Sequence, residues 1–196
     1  MFAWTEIEGA WYLDIYMNDE CWTGDHRFYI LTLALPSLIL WGICLPLFAL
    51  YRMSAADRKL PHAKAVYGFL YQGYVPRKFW WELMIILRKF LILLSLVFLN
   101  RVSVLIQALV SLFILIIALR LQILVNPYIK YKHNRLEDLS LICGAFMIYA
   151  GTLYLSGDIG EETKIALFIV ILLVTTIFYI TWIRAYIHEA IWAYKF

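Results

Sequence analysis

Ionisable side chains set within apolar runs are the strongest candidates for chemistry in this sequence. Arg88 and Lys89 lie well inside one such run, about 12 Å along a helix from its start at a rise of about 1.5 Å per residue. Charged groups are costly in a bilayer, so we expect both cations to have acidic partners. Glu82 comes directly before the same run, but Glu137 and Asp138, which precede another run, are the preferred partners. Such a cluster predicts a gate, a voltage-sensing element or a lipid headgroup site, or else a structural pair between helices with interfacial anchoring.

Polar and small residues mark two further apolar runs. Gln107 and Ser111 are four residues apart, so a helix places them on one face. That face predicts hydrogen bonding between helices, with a pore lining as the alternative. Gly144 and Gly151 are seven residues apart and predict close helix packing.

Residues suited to catalysis or metal binding are scattered. The three cysteines are far apart, and the four histidines lie on different segments without metal-ligand spacing. No serine or cysteine stands in a nucleophile motif, and no glycine loop suits a phosphate. We therefore expect no catalytic site, no metal site, no cofactor and no enzymatic activity. The basic loops favour lipid over nucleic acid as a partner.

The composition is that of a membrane protein. Hydrophobic residues make up 64% of the chain, charged residues 16%, and the mean hydropathy is +0.76. One aromatic segment comes directly before the apolar run that opens at Leu83, and such rings favour the headgroup level of a bilayer. Its members are Tyr67, Phe69, Tyr71, Tyr74, Phe79, Trp80 and Trp81.

Five apolar runs predict an all-α bundle of five transmembrane helices. The predicted spans are residues 28–50, 80–99, 102–125, 139–155 and 165–187. Pro36 and Pro46, with Gly42 between them, predict a bend in the first span. The bend is either a kink packed by neighbouring helices, which is preferred, or a hinge or broken helix that lines a cavity. Asn126-Pro127 predicts the end of the third span.

Loop charges predict the orientation of the bundle. The loop at residues 51–79 and the loop around Lys130, Lys132 and Arg135 are basic, which indicates the cytoplasmic side. The turn at residues 156–164 is acidic, which indicates the outside. The N-terminus is then outside and the C-terminus inside. We expect anionic headgroups on the inner face to bind the cations around the aromatic segment, which are Arg58, Lys59, Lys64, Arg77 and Lys78.

The N-terminal segment, residues 1–27, has six acidic residues and one basic residue among aromatic ones. We interpret it as a pre-membrane or interfacial segment, and its spacing does not decide between a helix and irregular chain. Residues 28–196 form the predicted transmembrane domain. No secretory signal is visible, so we expect the chain to be the membrane end of a longer protein, or to be inserted by its first span.

Several short motifs together resemble a known family. They are Tyr67-Gly68-Phe69-Leu70-Tyr71-x-Gly73-Tyr74, Trp81-Glu82, Arg88-Lys89, Gln107, Pro127-Tyr128, Asn134-Arg135-Leu136-Glu137-Asp138-Leu139-Ser140 and Tyr149-x-Gly151. This pattern is similar to the C-terminal membrane region of large protist proteins, which resembles the transient-receptor-potential-like (TRP-like) domain of fungal membrane proteins. The resemblance implies a multi-pass module with an outside N-terminus, attached to a long ectodomain. The family name suggests cation conduction. The short turn between the last two spans departs from true TRP channels, because a pore helix and filter do not fit there.

Three functions follow as expectations. The first is a non-enzymatic TRP-like membrane module that anchors an ectodomain or assembly and responds to lipid or force. The second is a cation channel subunit, and the third is an accessory subunit of an organellar inner-membrane complex. The expected partners are a bilayer with anionic lipid on its inner face and other subunits or an upstream ectodomain. We expect a plasma or ciliary membrane, with the mitochondrial inner membrane as the alternative.

Overall fold

A computed structural model describes residues 4–7, 10–13, 24–55, 65, 67–68, 70–99, 102–155 and 159–194. The chain divides into two compact units, Met1–Gln107 and Ala108–Phe196.

A β-hairpin comes first in the first unit. Strands β1, Trp4–Ile7, and β2, Ala10–Leu13, pair antiparallel, with Thr5 opposite Tyr12 and Glu6 opposite Trp11. Aromatic and β-branched residues favour the extended backbone, which explains why this segment is not helical. The sequence left helix or irregular chain open for residues 1–27, and the hairpin is a third arrangement that it did not predict.

The first helix, α1, covers residues 24–55 and alternates between two kinds of helical turn. Its α-helical segments are Gly24–Tyr29, Leu35–Ile39 and Leu45–Ala55, separated by π-helical turns at Ile30–Ala34 and Leu40–Cys44.

Each π turn of α1 ends two residues before a proline. Proline has no N–H and its ring clashes with the carbonyl four residues back. The wider turn moves the hydrogen bond by one residue, so that the Leu35 N–H donates to the Ile30 carbonyl and the Leu45 N–H donates to the Leu40 carbonyl. The helix is therefore continuous through Pro36 and Pro46.

The chain then re-enters a helix through a tight turn. Helical residues occur at 65, 67–68 and 70–71, a 3₁₀ turn covers Pro76–Lys78, and helix α2 covers Trp81–Phe98. Helix α2 packs against the Leu45–Ala55 segment of α1. A Cβ added at Gly42 would lie 2.7 Å from Cζ of Phe90, so glycine is what allows that ring to pack there.

Three helices follow. Helix α3, Val104–Val125, begins in the first unit and continues into the second, where α4, Tyr131–Leu155, and α5, Glu161–Tyr194, pack against each other. The Thr175 hydroxyl lies 3.6 Å from Sδ of Met147 and joins the middles of α4 and α5. The end of α3 at Val125 confirms the stop predicted at Asn126-Pro127.

Two predicted loops are partly helical. Lys132 and Arg135 lie in the first turns of α4, and Glu161 and Glu162 lie in the first turn of α5. Hydropathy marks only the apolar part of a helix, whereas hydrogen bonding continues into its charged ends. Acidic residues also suit a helix N-terminus, where the helix dipole is positive.

Within the described part of the chain, four helices are long and apolar enough to cross a membrane. They are Arg27–Ala55, Val104–Val125, Tyr131–Leu155 and Glu161–His188. Helix α2 is not among them, because its 18 residues include three charged ones. The predicted helical, membrane-type fold is thus confirmed for this part of the chain.

Candidate functional site

The aromatic segment folds back on the helices that flank it. The Tyr74 hydroxyl donates a hydrogen bond of 2.7 Å to a carboxylate oxygen of Glu82, the second residue of α2. Gly73, with a φ of 103°, takes the positive-φ conformation that glycine allows and turns the chain before this contact. Tyr74 thus holds the Glu82 carboxylate at the start of α2. The sequence spacing did not reveal Tyr74 as the partner of Glu82.

Two of these aromatic rings are buried in the protein. Tyr74 is 8% exposed and Trp81 is 4% exposed, and the indole N–H of Trp81 has no hydrogen-bond partner among the described residues. A second link joins α1 to the segment, since Nε of Arg52 donates to the Tyr67 hydroxyl at 3.4 Å. A headgroup-level position stays a prediction for all the rings of the segment.

The residues of the predicted charge cluster are divided between the two units. In α2, Arg88 is half-buried and Lys89 is exposed. Glu137 and Asp138 lie in α4, where one carboxylate oxygen of Asp138 is buried and has no hydrogen-bond partner in the described ranges. The pairing of the two cations with these two acids stays a prediction.

The predicted headgroup cations divide into two groups. Arg77 and Lys78 lie in the 3₁₀ turn directly before α2, where Arg77 is exposed and Lys78 is half-buried. Arg58, Lys59 and Lys64 lie outside the described residues.

The polar face predicted for α3 has two different environments. The Gln107 side-chain amide donates a hydrogen bond of 2.8 Å to the Leu96 carbonyl, which ties the start of α3 to the end of α2. Ser111, one turn later, is buried at 4% exposure. The contact gives Gln107 a helix-to-helix role, and a pore face stays a prediction.

An amide cluster between α3 and α4 was missed by the sequence reasoning. Oδ1 of Asn134 accepts hydrogen bonds from the Gln122 side-chain amide at 3.3 Å and from the Tyr128 backbone N–H at 3.1 Å. Nδ2 of Asn134 donates to the Tyr128 carbonyl at 2.9 Å. Gln122 and Asn134 are 1% and 4% exposed. The available signal was two amides that flank an Asn-Pro pair, since buried amides need partners.

Metal-ligand side chains do not cluster in the described part of the chain. Among the residues that the structure describes, no group of three or more histidine, cysteine or acidic side chains is placed to hold a metal ion. Cys44 and Cys143 are free thiols.

These features define a helical protein of the integral membrane class. Comparisons with protein-family models, with curated proteins and with solved structures found no match. The TRP-like resemblance therefore rests on the sequence motifs alone.

Proposed function

We propose that this chain is a non-enzymatic, TRP-like multi-pass membrane module that anchors a larger ectodomain or assembly in a bilayer. The observation that carries the proposal is the apolar surface of the long helices. In α5, Leu173, Ile177 and Ile183 are 57%, 60% and 47% exposed. At most 17% of the most apolar stretch of any of the four long helices is buried inside the protein. A surface of this kind needs lipid around it, because contiguous apolar area is unfavourable in water.

Helix α2 is proposed as a fifth span. Its 18 residues reach about 27 Å at about 1.5 Å per residue, close to the thickness of a hydrocarbon core. Glu82 stands at its start with a hydroxyl partner, and Gln107 binds its last turns to α3. With five spans and the basic turn before α2 inside, the N-terminus is outside and the C-terminus inside.

Two single-cysteine variants test the fifth span. Arg77→Cys labels the turn before α2 and Gly160→Cys labels the turn before α5, each in a chain whose three native cysteines are replaced by alanine. Arg77 is exposed, and a Cβ at Gly160 meets nothing within 4 Å. We expect a membrane-impermeant maleimide to reach the two positions from opposite sides of sealed vesicles. Labelling from the same side would show that α2 does not cross, because four spans place both turns together.

The anchoring role is tested with a soluble reporter fused before residue 24. We expect the reporter to stay with the membrane after alkaline carbonate extraction and to be digested by protease added outside intact cells. Release by carbonate would contradict the anchor.

The non-enzymatic module is further expected not to conduct. Reconstituted in liposomes, the chain should give no cation flux above that of protein-free liposomes. A sustained flux that Gln107→Ala changes would replace the anchor with a channel subunit, because Gln107 lies on the polar face of α3.

A further inference from the structure

A groove of about 350 Å³ lies in the second unit, between the first turns of α4 and the last turns of α5. We call it the cationic groove. Lys132, His133 and Leu136 line it from α4, and Trp182, Arg184 and His188 line it from α5. None of these residues belongs to the headgroup cations predicted from the sequence.

The packing of α4 on α5 builds the groove. The Thr175 hydroxyl meets Met147 near the middle of both helices, so the antiparallel pair brings the start of α4 to the end of α5. Sequence hydropathy placed Lys132 in a loop and Arg184 near the end of the last predicted span, residues 165–187. The helices extend past their apolar parts, and this extension lets the two cations face one cavity.

Aromatic contacts order the walls of the groove. The His133 ring meets the Tyr128 ring edge to face, with centroids 6.0 Å apart. Tyr128 is in turn bound to Asn134 through its backbone, so the amide cluster holds this side. On α5, the Trp182 and Tyr186 rings stack one turn apart, 5.9 Å between centroids and 8° between planes. The result is a flat apolar wall beside the cations.

The charge of the groove selects the ligand. Its described lining contains two basic side chains, Lys132 and Arg184, two imidazoles and no carboxylate. Both cations are exposed, so they are accessible from outside the protein. Basic pockets between membrane helices suit anionic headgroups, and a guanidinium binds a phosphate through two hydrogen bonds.

We propose that the cationic groove binds one anionic phospholipid. The headgroup phosphate lies between Lys132 and Arg184, and the first part of an acyl chain lies along Leu136 and Trp182. A free phosphate would leave the apolar wall of the groove uncovered, whereas the acyl chain of a phospholipid covers that wall. The volume suits the headgroup and the start of the chains, and the remainder of the lipid lies in the bilayer. This inference rests on the proposed membrane insertion and is independent of the anchoring role.

The test is native mass spectrometry of the purified full chain in detergent. The chain is mixed with equal amounts of phosphatidylserine and phosphatidylcholine, both with palmitoyl and oleoyl chains. We expect one phosphatidylserine to be retained. Lys132→Gln with Arg184→Gln should weaken its binding by about 30-fold, since each variant removes one direct contact with the phosphate and each such contact is worth about fivefold in affinity. Each single variant should weaken it about fivefold, which keeps the test decisive if the double variant does not fold.

The matched control removes one lysine and one arginine from the same unit, outside the groove. Lys130→Gln with Arg120→Gln should change phosphatidylserine binding less than threefold. Equal losses in both double variants would overturn the site, because general surface charge would then explain the binding. Glycerophosphoserine, the headgroup without chains, should fail to displace the lipid at 100-fold excess. Displacement by it would show a soluble phosphate ligand and overturn the lipid. Neither result affects the outcome of the cysteine labelling, so failure of the lipid site can be distinguished from failure of the five-span topology.

Discussion

Proline lies within an apolar run in the first unit and directly after an apolar run in the second unit. The helix continues through the proline in the first case and ends before it in the second. In α1 the helix continues through Pro36 and Pro46, with a π turn before each. At Pro127 the helix has already ended: α3 stops at Val125 and Asn126 adopts a φ of 45°. The same missing N–H is accommodated inside a helix in one place and at its end in the other.

The difference lies in which groups replace the lost hydrogen bonds. Around Pro36 and Pro46 the sequence is mostly aliphatic, and the main chain itself supplies the substitute through carbonyls five residues back. Around Pro127, the side-chain amide of Asn126 donates to the Ile123 carbonyl, and that of Asn134 bonds both backbone groups of Tyr128. The Gln122 side chain donates to Asn134 and so supports it. Where side-chain amides can bond the backbone groups at a helix end, the helix ends before the proline. Where such amides are lacking, the helix continues through the proline with a wider turn.

The largest effect should come from the amide cluster. Asn134→Ala removes three hydrogen bonds and leaves buried partners unsatisfied, so we expect a loss of about 3 kcal/mol in the free energy of unfolding. Steric trapping in lipid bicelles measures it. Thr176→Ala is the control, because that exposed hydroxyl bonds the Leu172 carbonyl of its own helix, and we expect a change below about 0.5 kcal/mol. Equal stability of the two variants would show that the amides do not hold the turn.

A smaller effect is expected at Asn126, where the backbone turns. Asn126→Ala loses the 2.6 Å hydrogen bond to the Ile123 carbonyl and places an alanine at positive φ, which together should cost about 2 kcal/mol. Asn126→Gly loses the same hydrogen bond but has no Cβ to clash at positive φ, so it should be about 1 kcal/mol more stable than the alanine variant. The same bicelle assay compares them, and a glycine variant no better than alanine would mean that this backbone conformation carries no cost.

A substitution at Gly42 tests the packing of α1, the helix that contains Pro36 and Pro46. Gly42→Ala brings a Cβ against the Phe90 ring, and we expect a loss of about 1 kcal/mol from overpacking. Phe90→Leu leaves more room, so the alanine should cost clearly less in that background. Strictly additive losses in the double variant would show that the ring does not limit position 42.

The smallest effect is expected at Pro36, which is exposed on α1. Pro36→Ala restores an N–H and removes the ring clash, so the π turn at Ile30–Ala34 is free to become α-helical with a stability change within about 0.5 kcal/mol. Amide hydrogen exchange should show protection at the new N–H of residue 36. An unprotected amide would mean that the π turn is held by its surroundings rather than by the proline.

The sequence by itself determined the class of the protein and the positions of its helices. Long apolar runs, the stop at Asn126-Pro127 and the disturbance at Pro36 and Pro46 are local properties, because hydropathy and backbone chemistry act between near neighbours. It did not determine how far the charged ends stay helical, nor that Trp4–Ile7 and Ala10–Leu13 pair as antiparallel strands.

Only the tertiary structure decided which side chains contact one another. Tyr74 meets Glu82, Asn134 meets Gln122, and the Phe90 ring packs where Gly42 has no side chain. Contacts of this kind depend on how helices face one another, and residue spacing along one helix does not record that. The cationic groove shows the same limit, since Lys132 and Arg184 are 52 positions apart in the chain and share one cavity only because α4 and α5 pack antiparallel.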